Sequence, residues 1–299
     1  MTVISGVGLS SADLAPRLSE LGAFLDRAEA MGLDAVELSL AAFEVVGGCR
    51  IWRDRLETLK AVCADRPFTY TLHGPIRSNF ADPVHLALQK DACRACLEVG
   101  AEIGATVQVQ HAALFPQATV AERDWRLAME AEALREIAPE AADAGVVLAV
   151  ETLFGRMAEW TPSPAELARQ IRAVDHPNIR ACADLSHAFL NAAERGFDAL
   201  SGLAELAPLT VHLHIHDSFA APASFAQYSA DEAILFGLGD IHLPPGRGAL
   251  PWEALATLPW AGPAIANLEV MARHEDQLEA AIAWTRDWAA RVNSNRGPA

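Results

Sequence analysis

Seven of the ten histidines in this 299-residue chain stand beside carboxylates or close short apolar runs. They fall in Leu72-His73-Gly74-Pro75, in Val109-Gln110-His111 and in Asp184 with His187 three residues on. The rest lie in His212-Leu213-His214-Ile215-His216-Asp217 and in Asp240-Ile241-His242. Val150-Glu151-Thr152 and Asn267-Leu268-Glu269 add carboxylates in the same kind of position. Imidazoles and acids gathered in one place are a costly mixture of desolvated dipoles and like charges. A divalent cation removes the repulsion and uses the lone pairs. A nitrogen and oxygen donor set without thiolate suits Zn2+, Mn2+, Fe2+ or Co2+. One such histidine alone is ordinarily a hydrogen-bonded core residue; the joint set is what points to metal. Glu151 and Glu269 carry most weight, because a lone carboxylate ending an apolar strand is expensive unless paired or metal-bound.

Strands and helices must bring these residues together. β-branched runs alternate with stretches of helical period, the pattern of repeated βα units around a parallel sheet. Strands are predicted at 3–7, 35–40, 68–73, 106–111, 146–151, 179–184, 210–216 and 263–269. Helices are predicted at 18–31, 52–64, 85–103, 122–144, 164–174, 189–206, 252–258 and 277–292. Ser163-Pro164-Ala165-Glu166 supplies an N-cap, a first-turn proline and a capping-box acid. Val146-Val147-Leu148-Ala149-Val150 is apolar throughout, as a strand buried on both faces must be. Eight such units match a single α/β domain, a (β/α)8 TIM barrel over residues 1–299. An open doubly wound sheet fits less well, because Gly6-Val7-Gly8 supplies only the first half of a dinucleotide-binding glycine motif. Barrel sites lie at the C-terminal ends of the strands, where the acids and histidines fall. Alternation sets His212, His214 and His216 on one face and Val211, Leu213 and Ile215 on the other. His212 is deepest and is read as structural.

Composition removes several functions. The chain carries 23 Lys and Arg against 39 Asp and Glu, a formal charge of −16. It has no basic stripe of the kind that displaces counterions from a duplex, so nucleic acid is an improbable partner. Its lysines are Lys60 and Lys90, both in helical stretches, which argues against Schiff-base chemistry. Cys49, Cys63, Cys93, Cys96 and Cys182 are scattered, and Cys93-x-x-Cys96 has no second pair for a zinc ribbon. Reduced thiols, the absence of any apolar run long enough to span a bilayer, and the lack of a leader together predict a cytoplasmic protein with no membrane partner. The stretch 219–250 is too long for a plain barrel loop. Its Phe219, Phe225, Tyr228 and Phe236 suggest a lid or a contact in a homo-oligomer.

The order His-Gly-Pro, His, Glu-Thr, Asp-x-x-His, His-x-His-Asp, Asp-x-His with Pro-Gly-x-Gly, and a final Glu resembles the xylose isomerase-like TIM barrels. That superfamily includes sugar and sugar-phosphate isomerases and epimerases, and endonuclease IV. The resemblance implies one metal held by Glu151, Asp184, His214 and Glu269. His214 is chosen because it lies three residues before Asp217. His187 matches a histidine that contacts substrate or a further metal. The endonuclease-like members hold three zinc ions, and their additional ligands match His73, His111, Asp240 and His242. Asn79-Phe80-Ala81-Asp82-Pro83 also resembles the endonuclease-like subgroup.

Two chemistries follow. An isomerase or epimerase of a small sugar, sugar phosphate or polyhydroxy carbonyl compound would use Glu151 and Glu269 as acid and base around an enediolate, with one metal as Lewis acid. His187 and His216 would contact substrate hydroxyls. Arg247, in Pro245-Gly246-Arg247-Gly248, and Arg156 are candidates for a phosphate or carboxylate group. The alternative is a hydrolase of a small phosphoester with two or three zinc ions. A barrel that binds without turnover would have little use for two acid–base carboxylates.

Overall fold

The computed structural model describes residues 2–12, 14–15, 17–155, 159–223 and 229–295. Eight parallel strands close into a barrel: β1 (Ile4–Ser10), β2 (Ala35–Ser39), β3 (Thr69–His73), β4 (Val107–His111), β5 (Val147–Glu151), β6 (Ile179–Asp184), β7 (Thr210–Ile215) and β8 (Ala264–Leu268). Each pairs with its neighbour in chain order, and β8 closes on β1 through Gly8 opposite Asn267 and Leu9 opposite Leu268. Helices run between the strands, which makes this a (β/α)8 TIM barrel.

Alternation divides each strand between two environments. Val36, Leu38, Leu72, Leu148, Val150, Ala183, Leu213, Ile215 and Leu268 join the large apolar layer shared with the helices. The opposite face turns into the lumen. Val107, Val109, Ala149 and Cys182 form a small separate cluster there. Glu37, Thr71, Glu151, Asp184, His212, His214 and Asn267 are also buried. The lumen is thus much more polar than a structural barrel core needs, and its polar residues gather toward the strand C-termini.

Of the elements that differ from the sequence expectation, two bear on the site. The helix predicted over 189–206 is two helices, Leu185–Arg195 and Ala199–Leu206. Gly196 ends the first in a left-handed conformation, and the Asp198 side chain caps the second. The first also begins directly after Asp184, whose Oδ1 accepts from the His187 backbone N–H at 2.8 Å. One carboxylate therefore ends a strand, starts a helix and brings His187 to the site. The stretch 219–250 contains the helix Ala230–Phe236, capped by Ser229. Phe225 and Tyr228 lie outside the described residues. Among the described residues no helix is long and apolar enough to cross a membrane. All five cysteines are unpaired.

Behind the β4 loop, Glu130 of the helix Val120–Asp143 is buried, and its Oε2 accepts from Gln170 Nε2 at 2.7 Å. Burial pushes this carboxyl from 4.5 up to about 7, against the lowering effects of Gln170 and the Ala113 N–H. The neutral acid is therefore favoured in the fold. Its advantage is complete below pH 4.5 and is lost as pH rises through about 7. The change at high pH is of order 3 kcal/mol. Glu130→Gln should raise the melting temperature at pH 8 and change it little at pH 4.5. A difference that stays constant across that range would contradict the shifted carboxyl.

Candidate metal centre and active site

A cavity of about 400 Å3 opens at the C-terminal rim of the barrel. His73, His111, Glu151, His187, Asp240, His242 and Glu269 line it, with Ile76, Leu114, Leu153, Phe154 and Met271 as an apolar collar. Asp184 and His214 lie beneath this lining and are fully buried. Side chains from β3 to β8 thus converge on one mouth, although Glu151 and Glu269 are more than a hundred residues apart in the chain.

The inner group centres on His214 and Glu151. His214 Nδ1 lies 3.1 Å from Glu151 Oε1, 3.3 Å from Glu269 Oε2 and 3.8 Å from Asp184 Oδ2. The other oxygen of Glu151, Oε2, faces His111 Nε2 at 3.2 Å and His73 Nε2 at 3.6 Å. Glu151 therefore links two donor groups, one through each oxygen.

The outer group contains His187, His216, Asp240 and His242. Asp240 Oδ2 lies 3.0 Å from His242 Nε2 and 3.2 Å from His187 Nε2. The rings of His216 and His242 stack with centroids 4.0 Å apart. The long stretch after β7 is tied down by Asp217, whose carboxylate accepts from the backbone N–H groups of Ser218, Gly246 and Leu250 and from Trp252 Nε1. Asp217 also pairs with Leu243 across a short bridge, next to His242. Position 248 must be glycine, because a Cβ there would lie 2.3 Å from Asp217 Oδ1 and 2.2 Å from the Ser218 carbonyl oxygen.

Charge explains why the groups suit a cation. Burial alone would raise Glu151, but His214 and His111 outweigh it and hold the carboxyl well below its usual range. Burial likewise raises Asp240, and His242 and His187 hold it well below. The histidines show the converse. Burial lowers His187, yet Asp184 and Asp240 bring it well above its usual value. His242 rises to about 10, with Asp240 overcoming burial. Acids concentrated in this way draw positive charge onto themselves, and protons on imidazoles provide it when nothing else does.

Hydrogen bonding leaves the same demand. His216 Nδ1 and Asp240 Oδ1 are buried without a hydrogen-bond partner among the described residues. His216 Nδ1 and Asp240 Oδ1 face each other at 3.8 Å, too far for a hydrogen bond. Donors about 2.1 Å from one tetrahedral cation stand about 3.4 Å apart. The inner donor spacings fall around that figure, so the residues present fit divalent metal.

All nine residues expected as ligands come together here: Glu151, Asp184, His214, Glu269, His73, His111, His187, Asp240 and His242. Two expected substrate contacts do not reach the cavity. His216 is buried, with Nε2 2.9 Å from Asp184 Oδ2, and belongs to the outer donor group. Arg247 is exposed and is not among the lining residues; the glycines around it serve the turn at Asp217. Arg156 lies outside the described residues. Arg77 lines the mouth instead. Glu37 was missed. It is buried beneath the inner group, with Oε2 2.9 Å from His212 Nε2 and 3.2 Å from His214 Nε2. The signal existed in Ala35-Val36-Glu37-Leu38, a lone acid in an apolar strand like Glu151.

A profile described as xylose isomerase-like TIM barrel matches residues 25–288. A D-tagatose 3-epimerase-like protein superposes with a TM-score of 0.71 at 18% identity, over 97% of this chain and 98% of the other. The apo 3-keto-D-glucoside 4-epimerase of E. coli gives 0.64 at 18%, over 94% and 98%. The TTHB071 protein of Thermus thermophilus, from a crystal soaked with ZnCl2, gives 0.66 at 24%, over 95% and 98%. At such identities the likeness establishes the fold. The search of curated proteins finds no match.

Purified protein should carry at least one equivalent of zinc or manganese by elemental analysis. Chelation should lower its melting temperature by roughly 10 °C, with recovery on adding the ion back. Metal-free protein that melts unchanged and takes up neither ion would eliminate the centre.

Proposed function

Because this chain belongs to the xylose isomerase-like TIM barrel family, we propose that it is a divalent-metal-dependent isomerase or epimerase of a small sugar, sugar phosphate or related polyhydroxy carbonyl compound. The observation that carries this reading is the pair Glu151 and Glu269. Both line the cavity, and both approach the same nitrogen of His214, at 3.1 and 3.3 Å. Their proton affinities diverge. Glu151 is held well below the carboxylate range, its burial outweighed by His214 and His111, whereas burial, reinforced by Glu37, raises Glu269 despite His214. Two acids tuned apart in one site are the usual signature of an acid–base pair. The likeness to two sugar-epimerase folds supports the same class.

Glu151, Asp184, His214 and Glu269 would hold the principal ion. A divalent cation bound there supplies Lewis acidity to a carbonyl and its neighbouring hydroxyl, making the α-proton removable. Glu269, the more basic carboxylate, accepts that proton. For transfer to the neighbouring carbon Glu269 returns the same proton there; for epimerisation Glu151 delivers a proton it has first taken from solvent, and Glu269 releases its own to solvent. His187 borders the same cavity and donates to a substrate hydroxyl. Ile76, Leu114, Leu153, Phe154 and Met271 restrict water around the reacting carbons. The unpaired cysteines support a cytoplasmic setting.

A second reading has its own observation. Glu151 turns one oxygen toward His214 and the other toward His111 and His73, so it belongs to two groups of potential ligands at once. Together with the outer group this favours a multinuclear zinc hydrolase of a small phosphoester; zinc held by these residues would supply activation of water. The charge of −16 still argues against DNA as its substrate.

The two readings separate in deuterated water. With a panel of small ketoses and ketose phosphates, an isomerase or epimerase incorporates solvent deuterium at the substrate α-carbon. Glu269→Gln should lower kcat by about a hundred-fold or more while the protein stays folded. Phosphate release from simple phosphoesters without any exchange would replace the first reading by the second.

A further inference from the structure

Glu37 contacts no cavity and takes no part in the chemistry above, yet it is a fully buried ionisable group across the lumen from β7. In sheet order β1 and β8 lie between its strand and β7. Its Oε2 receives two nitrogens, His212 Nε2 at 2.9 Å and His214 Nε2 at 3.2 Å. The two rings stand at 84° with centroids 5.3 Å apart, which lets neighbours on one strand face converge on a single oxygen. An ionised carboxylate can only accept, so both of these nitrogens carry hydrogen.

That settles the remaining nitrogen of His214. With Nε2 donating to Glu37, the lone pair of the neutral ring is on Nδ1. Three carboxylate oxygens of the inner group stand near Nδ1, from Glu151, Glu269 and Asp184, at 3.1, 3.3 and 3.8 Å. A lone pair among three anionic oxygens is repulsive unless positive charge lies between them. The opposite tautomer would set a donor group against the ion and a lone pair against Glu37. Both contacts would then be unfavourable.

We propose that Glu37 is a positioning residue: by holding the Nε2–H of His214 it selects Nδ1 as the nitrogen presented to the ion. The proposal rests on the reading of Glu151, Asp184, His214 and Glu269 as holders of a divalent cation. It does not depend on whether the reaction is proton transfer or hydrolysis. Carboxylates behind a metal-binding imidazole commonly alter affinity by about ten- to a hundred-fold.

The experiment compares full-length wild type, Glu37→Gln and His212→Asn, each stripped of metal and titrated with Zn2+ and Mn2+ against a chromophoric chelator. Glu37→Gln should bind about ten- to a hundred-fold more weakly. Its metal-free form should retain the circular dichroism of wild type. His212→Asn removes a buried polar side chain of the same cluster but leaves the Glu37–His214 pair, and its affinity should remain within about three-fold of wild type. A folded Glu37→Gln with wild-type affinity overturns the proposal, and so does an equal loss in both variants, which would mark a general effect on the core. Wild-type protein labelled with 15N-histidine and loaded with 113Cd2+ gives a second readout that needs no variant to fold. Cadmium coupling to Nδ1 of His214, with hydrogen on Nε2, supports the assignment; coupling to Nε2 overturns it. Wild type that binds none of these ions removes the parent reading, a result distinct from all the others.

Discussion

Both nitrogens of His214 face carboxylates, Glu37 on one side and Glu151, Asp184 and Glu269 on the other. The site depends on this arrangement. Four acids around one buried imidazole cannot all remain ionised without positive charge to compensate them. The raised histidines, the divergent glutamates and the unpartnered ligand atoms follow from this excess of acid, to which Asp240 adds in the outer group. A cation resolves all three together, which is why the fit to metal rests on more than residue types.

The barrel supplies this arrangement through strand alternation. On β7, His212 and His214 point inward because Leu213 and Ile215 pack outward against helices, and the same two-residue period places Glu151 and Asp184. These groups sit on rigid elements. Asp240 and His242 do not, and a separate device holds them. The buried Asp217 carboxylate gathers four donors and joins Leu243, so the long excursion returns its two donor side chains beside His187 and His216. A loop-borne donor group held by one hydrogen-bonded acid is easier to alter than a strand-borne one. Asp240 and His242 therefore rest on a different kind of support from the strand-borne residues of the inner group.

Much of this could be read from residue order. Strand periods were clear because each strand is buried on one face by helices and on the other by the lumen, which leaves β-branched runs with isolated polar residues. The helix break at Gly196 was hidden within an alanine-rich stretch whose apolar period continues across it. Glu37 escaped because no motif surrounds it, and its partners lie 175 and 177 residues away. Arg247 looked like a substrate contact because it follows the Asp240-x-His242 stretch closely. Nearness along the chain does not show which way a turn faces, and Asp217 turns this one outward.

The sequence by itself determined the eight βα units and the barrel they form, because both are written in local period, and it put acids and histidines at the strand ends; the nine candidate ligands came from the motif order that resembles the family. Only the tertiary structure decided the pairings. Closure of the barrel fixes which acid meets which imidazole, divides Glu151 between two donor groups, raises Glu269 above Glu151 in proton affinity and sets Glu37 behind His214. Those are properties of distance and burial between strands that are remote in the chain, and no local pattern encodes them.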